Sequence, residues 1–230
     1  FEHIREEKEW GRSNSTIADF HNHDAAAGLM AERATGSYAY DALILKNPSL
    51  HDHAVGKIQV MEAIIAFGCE GRILDLPQTF LLQEGTFEHD SSIHWHLEKT
   101  NPESKRVLEF KKTINALLTK HPSCWPENTL YRKYVNVDEQ NKVLVMKRVD
   151  KTQGTKEELV IIINLSSKPF HQYAVGIEKP RNGEVLFATG NTSGLVGSQP
   201  SHRFEVYPFE WLFNLAPYEV VVVKYGSGNT

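Results

Sequence analysis

The feature that most limits the fold is a change of hydrophobic period at Pro122 and Pro126. Before these prolines, two stretches carry apolar residues at spacings of three and four. In residues 56–68 these are Ile58, Met61, Ile64, Ile65 and Phe67. In residues 101–120 they are Val107, Phe110, Ile114, Leu117 and Leu118, with Pro102 suited to a first turn. The spacing predicts two amphipathic helices, the first ended by Gly68 and Gly71. After the prolines no helical period survives. Short β-rich runs replace it over 143–149, 159–165, 170–177, 184–188, 203–207 and 218–225, separated by turn residues such as Asn182-Gly183, Gly190 and Pro217. Such runs predict a β-sandwich.

Each predicted helix follows an apolar run. Thr16-Ile17-Ala18 precedes the first, with a rim loop over 25–54 between them. One of Arg72-Ile73-Leu74-Asp75-Leu76 and Thr79-Phe80-Leu81-Leu82 is expected as a buried strand before the second. Residues 16–120 therefore read strand, loop, helix, strand, loop, helix, the alternation of a parallel sheet or barrel with ligands at the strands' carboxyl ends. The expected organisation is α/β followed by all-β. Residues 1–125 form the last part of a TIM-type (β/α)8 barrel, and 126–230 a carboxyl-terminal β-sandwich.

Polar chemistry concentrates at the end of the first run, in Asp19-Phe20-His21-Asn22-His23-Asp24. Gln83-Glu84 is read as a second polar group at a strand end. The formal net charge of −4 gives no electrostatic case for nucleic acid or an anionic membrane. No apolar run approaches the ~20 residues needed to span a bilayer. Two cysteines, Cys69 and Cys124, are too few for a disulfide framework and suit a reducing cytoplasm. No signal peptide is visible, and the start at Phe1 fits a piece of a longer chain.

Three stretches resemble the α-amylase superfamily of glycoside hydrolases and transferases, and among these the carboxyl-terminal part of glycogen branching enzymes. Asn22-His23-Asp24 resembles the Asn/Ser-His-Asp signature of the seventh barrel strand. His89-Asp90-Ser91-Ser92-Ile93-His94-Trp95-His96-Leu97 is similar, without gaps, to the stretch after the eighth strand, and the next helix ends in His121-Pro122 as it does there. Residues 143–165, ending in Asn164-Leu165-Ser166, and the run Gln172-Tyr173-Ala174-Val175-Gly176-Ile177 resemble the carboxyl-terminal β-domain. The chain departs from the pattern at Ala25, where Glu is usual, at Gly85-Thr86-Phe87 after Gln83-Glu84, and at an inserted Asp75-Leu76-Pro77.

The resemblance implies cleavage of an α-1,4 glucosidic bond with retention, followed by attack of a glucan 6-hydroxyl on the glycosyl-enzyme. It implies Asp24 as a transition-state stabiliser, with His23 and Asn22 binding substrate and Gln83 and Glu84 lining the cleft. A carboxylate accepts and an imidazole donates, so the pair suits the sugar's 2- and 3-hydroxyls. It implies no cofactor and no metal. The partners are an α-glucan, the rest of the barrel, and a second copy across the open barrel edge. No Gly-x-Arg-x-Asp run that would carry the nucleophile is present, so the chain alone is expected to be inactive. Bland alternatives stand beside these: Asp24 as a strand-end cap, Gln83 and Glu84 as loop residues, and Trp95 as a structural wedge. Trp211, beside Phe209 and Phe213, is either sandwich core or a sugar platform.

Three rival functions remain. One is an α-amylase-type hydrolase. A second is a non-catalytic glucan-binding module. The third is a metal-dependent barrel, because Asp19-x-His21-x-His23 resembles the entry strand of amidohydrolases and alternate strand residues face one side. His51-x-His53 would then add ligands.

Overall fold

The computed structural model describes residues 17–18, 48–68, 72–73, 80–82, 93–125, 132–150 and 157–225. The chain divides into two compact units, Phe1–Ala116 and Leu117–Thr230.

In the first unit, strand β1 (Ile17–Ala18) pairs parallel with β2 (Arg72–Ile73), Ile17 opposite Arg72. Helix α1 (Pro48–Gly68) lies between them in sequence, and α2 (Leu97–Thr100) and α3 (Pro102–Lys120) follow. Parallel strands need such a crossover, because a hairpin turn cannot reverse the chain twice.

Helix α1 starts earlier than the apolar spacing indicates, so residues 48–54 are helix and not rim loop. Proline is favoured at a first helical position, where its missing N–H has no acceptor to lose. Gly56 lowers helix propensity by about 1 kcal/mol, and burial of Ala54 and Val55 beside it offsets this. The helix is also less amphipathic than expected. Val60, Ala63 and Ala66 are buried as well as Ile58, Ile64 and Phe67. Ala54, Val55 and Ile58 pack with Leu81 and Val107 of α3. Between the same helices Lys111 and Glu62 form an ion pair whose side chains are only 6% and 3% exposed.

Residues 80–82 are not strand, and Leu81 has a φ of 60°. Of the two apolar runs, one of which is expected as strand, the described strand β2 lies in the first, and Gln83-Glu84 lies outside the described residues. Leu81 and Leu82 spend their carbonyls elsewhere. Ser104 Oγ donates to the oxygen of Leu81 at 3.2 Å, and the His94 amide to that of Leu82 at 2.7 Å.

The second unit is an antiparallel β-sandwich. Its strands are β3 (Arg132–Asp138), β4 (Val143–Val149), β5 (Glu158–Asn164), β6 (Phe170–Ile177), β7 (Gly183–Ala188), β8 (Leu195–Val196), β9 (Gln199–Pro200), β10 (Phe209–Leu215) and β11 (Val220–Tyr225). Among the described residues one sheet has the order β3-β4-β5-β11-β7-β8 and the other β6-β10-β9. Val143, Val145, Val160, Ile162, Val221 and Val223 of the larger sheet meet Val175, Ile177, Trp211, Phe213 and Leu215 of the smaller. Tyr173 ties the layers at one side. Its hydroxyl donates to Asp138 Oδ2 at 2.9 Å and accepts from Asn136 Nδ2 at 3.2 Å.

One strand expectation is corrected. Residues 203–207 are irregular, because side chains compete for the backbone there. Arg203 N donates to Ser201 Oγ at 3.1 Å, and Ser201 Oγ donates to Glu210 Oε2 at 2.6 Å. The strand of that region is β10, in the aromatic run just after it.

Gly176, in the Tyr-x-Val-Gly run, lies under the ring of Tyr207. A Cβ there would come within 2.6 Å of Tyr207 Cδ2 and 2.8 Å of its Cβ. Gly176→Ala is therefore expected to cost about 1–3 kcal/mol by overpacking, read as a lower urea midpoint at unchanged slope. An unchanged midpoint would contradict this packing.

Candidate functional site

The residues predicted to carry chemistry, Asn22, His23, Asp24, Gln83 and Glu84, lie outside the described residues, as do Asp19 and His21. The described strand β1 ends at Ala18, the residue before Asp19. Its parallel neighbour β2 fixes its direction, so the chain leaves the carboxyl end of β1 into the polar cluster. His51 and His53 both fall in α1. Residues two apart on a helix are roughly 200° apart around its axis, so this spacing does not gather two ligands as a strand would.

Other expected positions are described. Trp95 is 63% exposed, so it is not wedged into this chain. His94 and His96 flank it with ring centroids 5.8 Å apart, edge to face. Trp211 is fully buried, its ring 4.9 Å from that of Tyr225, and its Nε1 donates to the oxygen of Arg181 at 3.0 Å. It is core, and its burial excludes the sugar platform.

A cluster not singled out from sequence gathers a serine, a histidine and a glutamate at the end of α3. His121 Nδ1 lies 2.9 Å from Glu157 Oε2, and Ser123 Oγ donates to Glu157 Oε1 at 3.1 Å. Lys224 Nζ lies 3.4 Å from the same carboxylate. Arg148 donates from Nε to the oxygen of Ser123 at 3.2 Å and from Nη2 to that of Cys124 at 3.3 Å. The residue types are those of a hydrolytic triad, but the connections are not. A nucleophilic serine gives its proton to the imidazole, whereas here both serine and imidazole address the carboxylate. His121 and Ser123 are also buried, beyond reach of a substrate. The cluster is a latch fixing the chain after α3 to the start of β5. His121-Pro122 was its visible signal, while Glu157 had none because its partners are 36 and 34 residues away.

Burial pushes the Glu157 carboxyl up, but His121 and the Ser123 donors outweigh it and hold it below the ordinary glutamate range. Burial alone dominates at Cys124, whose thiol is pushed up to about 11, so it is a poor nucleophile at neutral pH.

With this geometry in view, the chain can be set beside known proteins. No family model matches it. A 1,4-α-glucan branching enzyme of Paraburkholderia xenovorans is 26% identical in an alignment 161 residues long that covers 62% of this chain and 20% of the enzyme. Over that span the chain is similar to a branching enzyme, and this supports a relationship to the α-amylase superfamily. It spans about one fifth of the length of that relative. A trehalulose synthase mutant in complex with Tris has the same fold over 98% of this chain and 46% of its own, with a TM-score of 0.53 at 9% identity. A debranching enzyme of Nostoc punctiforme aligns over 76% of this chain and 32% of its own, at 13% identity and a TM-score of 0.49. No helix among the described residues is long and apolar enough to cross a membrane.

The depressed Glu157 carboxyl has a definite pH consequence. A group whose folded pKa lies below its unfolded value adds stability above the unfolded value, and that stability is lost as the pH falls through the folded one. Glu157→Gln should thus lower the melting temperature at pH 7 and narrow the gap to the unsubstituted chain at pH 3. A gap that is constant across pH would contradict the charged latch.

Proposed function

We propose that this chain is the carboxyl-terminal portion of a cytoplasmic 1,4-α-glucan branching enzyme acting in glycogen synthesis, and that it transfers no glucan by itself. The observation that carries the reading is the 26% identity to a branching enzyme over 161 residues. The parallel β1–α1–β2 arrangement supports it, since consecutive strands of a (β/α)8 barrel are related in this way. So does the antiparallel sandwich that follows.

In this reading Asn22-His23-Asp24 sits on the rim at the carboxyl end of β1. Asp24 accepts hydrogen bonds from the 2- and 3-hydroxyls of the glucose bound at the point of cleavage, and His23 donates to them. As the ring flattens and positive charge builds at the anomeric carbon, those hydroxyls become more acidic. Their bonds to Asp24 then strengthen, which favours the transition state over the ground state. Asn22, Gln83 and Glu84 line the approach of the glucan. The nucleophile and the proton donor come from the missing barrel strands, whose absence leaves this piece inactive. A second copy or the rest of the parent covers the open edge of the partial barrel.

In the chain extended by its natural upstream sequence, Asp24→Asn should lower kcat on amylose about 10³-fold while KM changes by a few-fold at most. New α-1,6 linkages counted after debranching provide the readout. Full activity of that variant, or branching by the 230-residue chain alone, would overturn the proposal.

A further inference from the structure

We infer that a pocket at one end of the sandwich, where the β3–β4, β5–β6 and β10–β11 loops meet, binds the phosphate group of a small phosphate monoester. Its volume is about 220 Å³. That is below the ~300–1,000 Å³ of clefts that enclose drug-sized ligands, and it suits a compact anion with a small body. The inference does not depend on the branching-enzyme reading.

The walls are held in place before any ligand arrives. Asn164, at the end of β5, is fully buried and joins two of the loops. Its Nδ2 donates to the oxygens of Lys168 at 2.9 Å and Ala216 at 2.7 Å. Its Oδ1 accepts from the amide of Ser166 at 2.9 Å and from the Ser166 hydroxyl at 2.8 Å. Backbone bonds complete the junction. Leu165 N donates to the oxygen of Lys142 at 2.8 Å, and Tyr218 N to that of Ser166 at 3.1 Å. A site fixed in this way loses less freedom when it binds.

Two residues of the junction are strained. Lys142 has a φ of 58° and Tyr218 a φ of 50°. Glycine would occupy either position without that strain. Both residues line the pocket. Left-handed residues other than glycine gather at ligand clamps, where the side chain is needed in spite of its backbone cost.

The lining is cationic. Lys142 and Lys168 both belong to it, and no Asp or Glu does. Neither lysine has a carboxylate partner among the described residues. The nearest acid on the β3–β4 turn, Asp138, is already engaged. It accepts from Asn141 N at 3.0 Å and Nδ2 at 2.8 Å, and from the Tyr173 hydroxyl at 2.9 Å. Glu139, next in the chain, does not line the pocket. Ser167 adds a hydroxyl with no hydrogen-bond partner among the described residues. Two ammonium groups act on a phosphate as point charges, and a hydroxyl donates to its oxygens. The chain's net charge is −4, so these local groups and not the overall field draw the anion. Leu165 and Phe170 add apolar surface for an organic body, which favours a monoester over free phosphate.

Phenyl phosphate titrated into the 230-residue chain at about pH 7.5 and fixed ionic strength, followed by calorimetry, tests the pocket. The expected result is saturable binding, a few-fold tighter than that of inorganic phosphate, and at least about tenfold weaker in Lys168→Gln and in Lys142→Gly. Lys142→Gly also relieves the left-handed backbone, so its melting temperature should not fall, and its weaker binding then has no origin in unfolding. No saturable binding, or binding that neither variant weakens, overturns the inference. Inorganic phosphate binding as tightly as the ester overturns the choice of a monoester, since the occupant is then free phosphate.

Discussion

The sandwich depends on two adjacent strands, β5 and β11, whose side chains are buried on both faces. Neighbouring residues on a strand point to opposite sides, so the complete burial of Ile161, Ile162 and Ile163 requires cover on each. The smaller sheet covers one face through Trp211, Phe213 and Val175. On the other, Leu144, Met146, Ile161 and Val222 are equally inaccessible. The antiparallel register, Val220 opposite Ile163 and Lys224 opposite Leu159, keeps the charged end of β11 at the margin. A slip of one residue would exchange the two faces of the strand.

A buried carboxylate stands immediately before each of these strands. Glu157 precedes β5 and gathers His121 and Ser123. Glu219 precedes β11 and gathers Ala216 and Gly190. Both solve the same problem. A central strand must be entered from a loop whose own amides need acceptors, and a charged acceptor satisfies several at once. Their electrostatics differ with their surroundings. Glu157 has an imidazole and Lys224 within reach and is held acidic. Glu219 has only dipolar donors, and burial pushes its carboxyl up in spite of them.

The sequence carries these features unequally. Strands β4, β5, β6 and β11 are legible because their apolar runs are continuous and end in turn residues; β6 lies exactly where its run does. The start of α1 is not, because Gly56 and the histidines around it look like loop until the burial of Ala54 and Val55 is known. Arg203-to-Tyr207 has strand composition, yet Ser201 and Glu210 divert its backbone, a contact no local pattern reveals. Strand β10 shows its period in Phe209, Trp211, Phe213 and Leu215, but aromatics at that spacing read as easily as a binding surface. Of the candidate site, Asn22-His23-Asp24 lies outside the described residues, and only the strand before it, β1, is described. The Glu157 latch and the Glu219 loop anchor are not legible, since each is assembled from residues distant in the chain.

In the proposed reading, an imidazole and a carboxylate, His23 and Asp24, grip a distorted glucose. The most direct measurement is a crystal structure of the upstream-extended enzyme bound to an oligosaccharide mimic of the flattened ring. The expected result is Asp24 and His23 within hydrogen-bond distance of the mimic's 2- and 3-hydroxyls, on the rim beyond the strand that pairs parallel with the one through Ile73. A metal ion shared by His21 and His23, or hydroxyls bound by other residues with Asp24 turned into a backbone cap, would contradict it.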